Sequence, residues 1–185
     1  MDGSDPVRRL CAVVEAEGPV DHPYSPVADV VESASAAAGV DQITLQVLSS
    51  GLLLVLSSGV NEARVVSDLS RELRNALWRR NRRLTGAHRL RCRISFHQGL
   101  VRLTDEGFDG QAVRVARDLC GSDDLRTALL ESAEHDLALI LSARLLDELA
   151  YPESTGLHRE QFRRVTATTQ GRHVPAYVYA YGEAT

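Results

Sequence analysis

Apolar residues in this chain come in short, dense runs, and the spacing within each run predicts its conformation. RRLCAVVE, Arg8 to Glu15, is continuous enough for a buried strand, and GPVDHPYSP after it carries three prolines that forbid regular structure. A helix is then expected from Ser25 or Pro26 through VADVVESASAAA to Gly39, a C-cap residue. ITLQVL and LLLVLS flank Ser49, Ser50 and Gly51, which predicts a hairpin with a short glycine-containing turn. The longest helical period follows. Val66, Leu69, Leu73 and Leu77 share one face, while Asp68, Arg71, Glu72 and Arg74 lie away from it.

LRCRISFHQGLVRL, Leu90 to Leu103, predicts a second hairpin turning near Gln98 and Gly99, and a polar turn then leads into the helix GQAVRVARDLC. A short helix, DDLRTALLESA, precedes the strand LALILS. The helix ARLLDELA leads to a last hairpin, FRRVTAT with VPAYVYAY, around Gln170 and Gly171. The order strand, helix, strand, strand, helix, strand defines an α+β fold: a ferredoxin-like βαββαβ core with C-terminal additions. Such a core packs one sheet face on its helices and leaves the other for a partner or ligand.

With 185 residues, 44% hydrophobic and 25% charged, one domain is expected over 1–185, with an ordered core of about 8–182. The formal net charge of −4 argues against nucleic-acid binding, and the cluster RELRNALWRRNRR is expected to be a solvated helix rim. All 21 basic residues other than histidine are arginine, so no lysine chemistry is available. No run has the flanks of a signal peptide or the length of a membrane span, so a cytoplasmic protein without membrane contact is expected. Cys11, Cys92 and Cys120 are widely spaced and lie in apolar segments, which predicts buried free thiols.

In this order of elements, RCRISFHQGLV followed by GQAVRVARDL resembles the class III nucleotidyl cyclases, adenylate and guanylate, whose catalytic domains carry an arginine-led strand, a His-x-Gly turn and a Gly-x-Ala-Val-Asn helix. CAVVEAEG resembles the first strand of that family, LSSGLLLVL its central Gly-Asp-Gly hairpin, LALILS its late strand and GRHVPAYVYAY its closing strand. The resemblance covers nearly the whole chain and is nearest to short actinobacterial members that consist of little more than this domain.

The resemblance implies a specific chemistry. Two aspartates hold two metal ions that activate the ribose 3′-hydroxyl, an asparagine orients the ribose, and an arginine one turn further stabilises charge on the phosphate. A lysine commonly helps to select the purine. Carried over by position, the first metal aspartate falls on Glu15, the second on Ser50, the asparagine on Arg114 and the arginine on Asp118. These four are degenerate active-site positions. Ser50 is neutral, and Asp118 would repel a triphosphate by on the order of a few kcal/mol at an effective dielectric near 20.

The expected function is therefore a catalytically inactive cyclase-like module that regulates or binds another protein. The competing reading is an atypical active cyclase that makes a cyclic nucleotide from ATP or GTP with Glu15 as its one remaining metal carboxylate. No cofactor is expected. Arg114 is the candidate anion contact for a nucleotide ligand. The family's head-to-tail pairing implies a homodimer, or a heterodimer with a related domain, in which Arg114 would meet Glu15 of the second subunit, and a separately encoded effector would receive the signal. Three local expectations follow from the residues alone: His97 is a turn histidine held by hydrogen bonds, Arg114 and Asp118 form an i,i+4 ion pair, and Glu15 and Glu17 are solvated carboxylates at a strand end.

Overall fold

The structure is a computed structural model and describes residues 5–18, 24–131, 133–149, 158–169 and 172–180. Its elements are β1 (Val7–Ala16), α1 (Tyr24–Ala37), β2 (Ile43–Val47), β3 (Leu52–Leu56), α2 (Glu62–Asn81), β4 (Cys92–Thr104), β5 (Gly107–Asp109), α3 (Gln111–Cys120), α4 (Asp123–Leu130), β6 (Leu137–Ser142), α5 (Ala143–Leu149), β7 (Arg163–Thr169) and β8 (Arg172–Ala180). The strands form one sheet in the order β2-β3-β1-β4-β6-β8-β7, with β5 paired to β4. In the first four of these, β2-β3-β1-β4, each strand is antiparallel to its neighbours, as the βαββαβ core requires, and β6, β8 and β7 extend the sheet from β4.

Strand parity divides the core. Leu10, Ala12 and Val14 of β1 pack with Leu52, Leu54 and Leu56 of β3 beneath α1 and α2, whose Val66, Leu69, Leu73 and Leu77 face the sheet as the periodicity requires. The alternate residues Cys11 and Val13, with Leu53 and Val55, pack on α3 instead. A third cluster joins α4 to β6, β7 and β8 through Leu125, Leu129, Ile140 and Val178. Both faces are thus covered by helices, and the face that the core order leaves for a partner or ligand is instead packed by α3 and α4. All three cysteines are buried and free, and burial pushes the thiols of Cys11 and Cys92 up to about 12 and raises that of Cys120.

One expected element differs. β4 runs unbroken through Gln98 and Gly99, which pair with Leu10 and Arg9 of β1, and the chain reverses only beyond Thr104, at the turn into Gly107. Gly99 marks a close approach rather than a turn: a Cβ there would lie 3.2 Å from Cβ of Ala112 in α3. Gly107 supplies the reversal with φ of 110°. The expected turn at Gln170 and Gly171 lies outside the described residues.

Candidate functional site

α3 is held against β4 along one helical face. Ala112 abuts Gly99, the Ala116 carbonyl accepts from Ser95 Oγ at 2.6 Å, and the Cys120 carbonyl accepts from Arg93 Nη1 at 2.7 Å. These three are spaced i, i+4, i+8, and their small side chains let the helix sit close to the sheet. The same spacing turns Arg114, Arg117 and Asp118 outward. At the other wall, parity places Glu15 on the α3 side of β1, and the β2–β3 turn brings Ser50 over it. Gly51 makes that approach possible, since a Cβ at this position would collide with the Val14 carbonyl oxygen.

The result is a cleft of about 760 Å³ lined by Glu15, Ser50, Arg114, Arg117, Asp118 and, from the C-terminal hairpin, Arg172 among others. All four positions singled out in the sequence meet here. Their local chemistry differs from the sequence expectations in two respects.

Glu15 is not a solvated strand-end carboxylate; it is 7% exposed. Ser50 Oγ donates to its Oε1 at 2.6 Å, and Arg93 Nη2 donates to its Oε2 at 3.1 Å. Arg93, itself 4% exposed, also pairs through Nε with Glu17 Oε2 at 2.9 Å, and Glu17 meets Arg126 at 3.5 Å. A buried guanidinium needs such partners on every edge, and the carboxylates of Glu15 and Glu17 with the Cys120 carbonyl supply them. Residue chemistry alone could have flagged Arg93, because an arginine inside an otherwise apolar strand must be paired.

Nor do Arg114 and Asp118 pair. Arg114 reaches back to Asp109 at 3.3 Å, where the Gly110 backbone N–H, with Arg102 and Arg114, holds the carboxyl below its ordinary range. Asp118 has no ion pair or side-chain hydrogen bond among the described residues.

The donors present do not fit a pair of divalent cations. Glu15 has both oxygens hydrogen-bonded within the chain, Ser50 offers a neutral hydroxyl, and no group of three or more His, Cys, Asp or Glu side chains able to hold a metal occurs among the described residues. The cleft lining is also balanced in charge, with Glu15, Asp118 and Asp123 set against Arg114, Arg117 and Arg172.

His97 lies elsewhere. It is in the middle of β4, not at a turn, and its Nδ1 is 2.8 Å from Ser142 Oγ. The expected hydrogen bond is present, in a strand setting. Burial first, and then the charges of Arg144 and Arg8, lower its pKa to about 4.

The fold described above is that of nucleotidyl cyclase catalytic domains. Among solved structures, it is similar to an adenylate/guanylate cyclase/hydrolase from Silicibacter pomeroyi, with a TM-score of 0.62 and 19% identity over 96% of this chain and 100% of that one. It is also similar to the guanylyl cyclase Cya2, with a TM-score of 0.60 and 16% identity over 97% and 93% of the two chains. A bacterial light-regulated adenylyl cyclase gives a TM-score of 0.53 at 14% identity over 94% and 90%. No family model matches the sequence, and no curated protein matches it significantly. Identities this low carry the fold and leave activity to be argued from the site.

Proposed function

We propose that the chain is a catalytically inactive nucleotidyl cyclase-like domain that acts as a regulatory or protein-interaction module in signalling. The observation that supports this reading best is the state of Glu15: both carboxylate oxygens are engaged, by Ser50 and by Arg93, where the resemblance calls for metal ligation. Asp118 opposes a triphosphate from the facing wall. Phosphoryl transfer needs stabilisation of charge on the transferring group, and the cleft offers as many carboxylates as guanidinium groups.

The test is incubation of the purified protein with ATP or GTP and Mn²⁺, followed by detection of cyclic nucleotide. No product above a protein-free blank is expected. Product that disappears in Glu15→Ala would establish the atypical active cyclase instead.

An inactive domain acts through association. The outward face of α3 and the β2–β3 turn form the surface for a homodimer or for a heterodimer with a related domain, and a separate effector protein would read the assembled state. Because Glu15 is buried and paired within its own chain, Arg114 has no exposed Glu15 to meet across such an interface, and Asp118 is the available carboxylate. Sedimentation of wild type and Arg114→Glu tests this: a dimer that weakens in the variant supports it, and a monomer at high micromolar concentration removes self-pairing.

A further inference from the structure

A second cavity, of about 780 Å³, opens at the opposite end of α3, between the N-terminal turn of that helix, the middle of β4 and the start of β8. Its apolar wall is Leu100, Ala112, Val115, Val174 and Pro175. Its polar rim is Arg8, Arg144 and Arg172, with His97 and His173. Among the described residues no carboxylate lines it, in contrast to the balanced first cleft. Glu148 lies behind the rim, 2.7 Å from Arg8 and 3.2 Å from Arg144. Glu62, which accepts from Gln98 Nε2 on the rim, also acts on Arg8, so two carboxylates outside the lining stand behind Arg8 and Arg144, while the guanidinium groups themselves line the cavity together with that of Arg172.

His97 contributes a donor of defined orientation. Ser142 Oγ accepts the Leu145 N–H at 3.4 Å at the start of α5 and keeps both a proton and a second lone pair for His97 Nδ1, 2.8 Å away; an anion in the cavity selects the tautomer in which Ser142 donates to Nδ1. The ring proton then resides on Nε2. That atom lies 3.6 Å from the place a Cβ on residue 99 would occupy, so the glycine leaves the N–H edge uncovered.

We propose that this cavity binds a small organic anion, a carboxylate or phosphate head on an apolar body. Arg144 and Arg172 hold the head, His97 Nε2–H donates to it, and Leu100, Val115 and Val174 cover the body. A volume of this size is that of ordinary small-molecule sites, which combine apolar walls with a few convergent polar groups. Charge-assisted bonds from guanidinium to carboxylate or phosphate supply orientation. The site is distinct from the degenerate cleft and stands whether or not that cleft is inactive, although Arg172 lines both.

The test follows the ring resonances of His97 by NMR, assigned with His97→Gln, during titration with octanoate, AMP and inorganic phosphate. Saturable shifts with octanoate or AMP are expected, tighter than with inorganic phosphate and weakened at least about tenfold in both Arg144→Gln and Arg172→Gln. Preference for octanoate would identify acyl carboxylates as the source of the head, and preference for AMP would identify nucleotides. Four results would overturn the site: no saturable shift with any probe at about 10 mM, equal affinity for inorganic phosphate alone, shifts unchanged by either arginine variant, or shifts that a cleft variant, Asp118→Arg, moves equally. Both arginines are exposed, so the variants retain the fold, and thermal melts check that they do.

Discussion

Glu15 and Arg93 face each other in register across the β1–β4 ladder, and Arg93 Nη2 lies 3.1 Å from Glu15 Oε2 at almost complete burial. A pair in this position is unequal in its two halves. Arg93→Met removes the guanidinium shared by Glu15, Glu17 and the Cys120 carbonyl and leaves Glu15 with Ser50 alone, and a loss of about 3–5 kcal/mol is expected. Glu15→Gln keeps an acceptor for Ser50 and leaves Arg93 paired with Glu17, so a smaller loss of about 1–2 kcal/mol is expected. Urea unfolding of both variants gives the comparison; equal losses would contradict this account.

His97 makes stability depend on pH in one direction. Its folded pKa is about 4, against 6.5 for the free side chain, so the unfolded chain takes up the proton first as pH falls. Its contribution is complete above pH 6.5 and is lost as pH drops toward 4. Between pH 7 and pH 5 this one group should remove about 2 kcal/mol. The same urea midpoints measured for His97→Gln should fall by correspondingly less.

Gly51 carries the turn that sets Ser50 over Glu15. Gly51→Ala drives a methyl into the Val14 carbonyl, and the turn must move away from β1. A loss of about 1–3 kcal/mol is expected by denaturation, as for other overpacked sites. Ser50→Ala should cost less, because it removes one hydrogen bond without displacing backbone.

Asp118 should govern how the first cleft treats phosphates. Asp118→Arg changes three carboxylates against three arginines into two against four. Calorimetry with ATP should give binding at least about tenfold tighter in the variant than in wild type. Unchanged affinity would mean that the cleft charges do not act on the ligand.

Much of the architecture was legible because it rests on local signals. Val66, Leu69, Leu73 and Leu77 repeat at helical spacing, and the order of apolar runs marks the strands and helices of the core. Glycine signals a reversal and a close approach alike, and at Gly99 only the packing of α3 across it distinguishes the two. The Glu15 and Arg93 pairing joins residues 78 apart in sequence, and no local pattern encodes that register. For Arg114 the helical spacing pointed to Asp118 at i+4, whereas its partner is Asp109, which precedes the helix and lies outside that period. The second cavity is assembled from β1, β4, α3, α5 and β8, so its arginines become neighbours only after folding.

The three buried thiols divide between the two sides of the sheet, with Cys92 under α1 and α2, and Cys11 of β1 and Cys120 of α3 in the layer between α3 and the sheet. Alkylation requires thiolate, and thiols whose pKa burial raises this strongly react only when the chain opens around them. Each cysteine is therefore a clock for its own half of the protein. Separation of α3 from the sheet would expose Cys11 and Cys120 to a labelling reagent while Cys92 stayed silent, and a mass spectrum would record which side had moved.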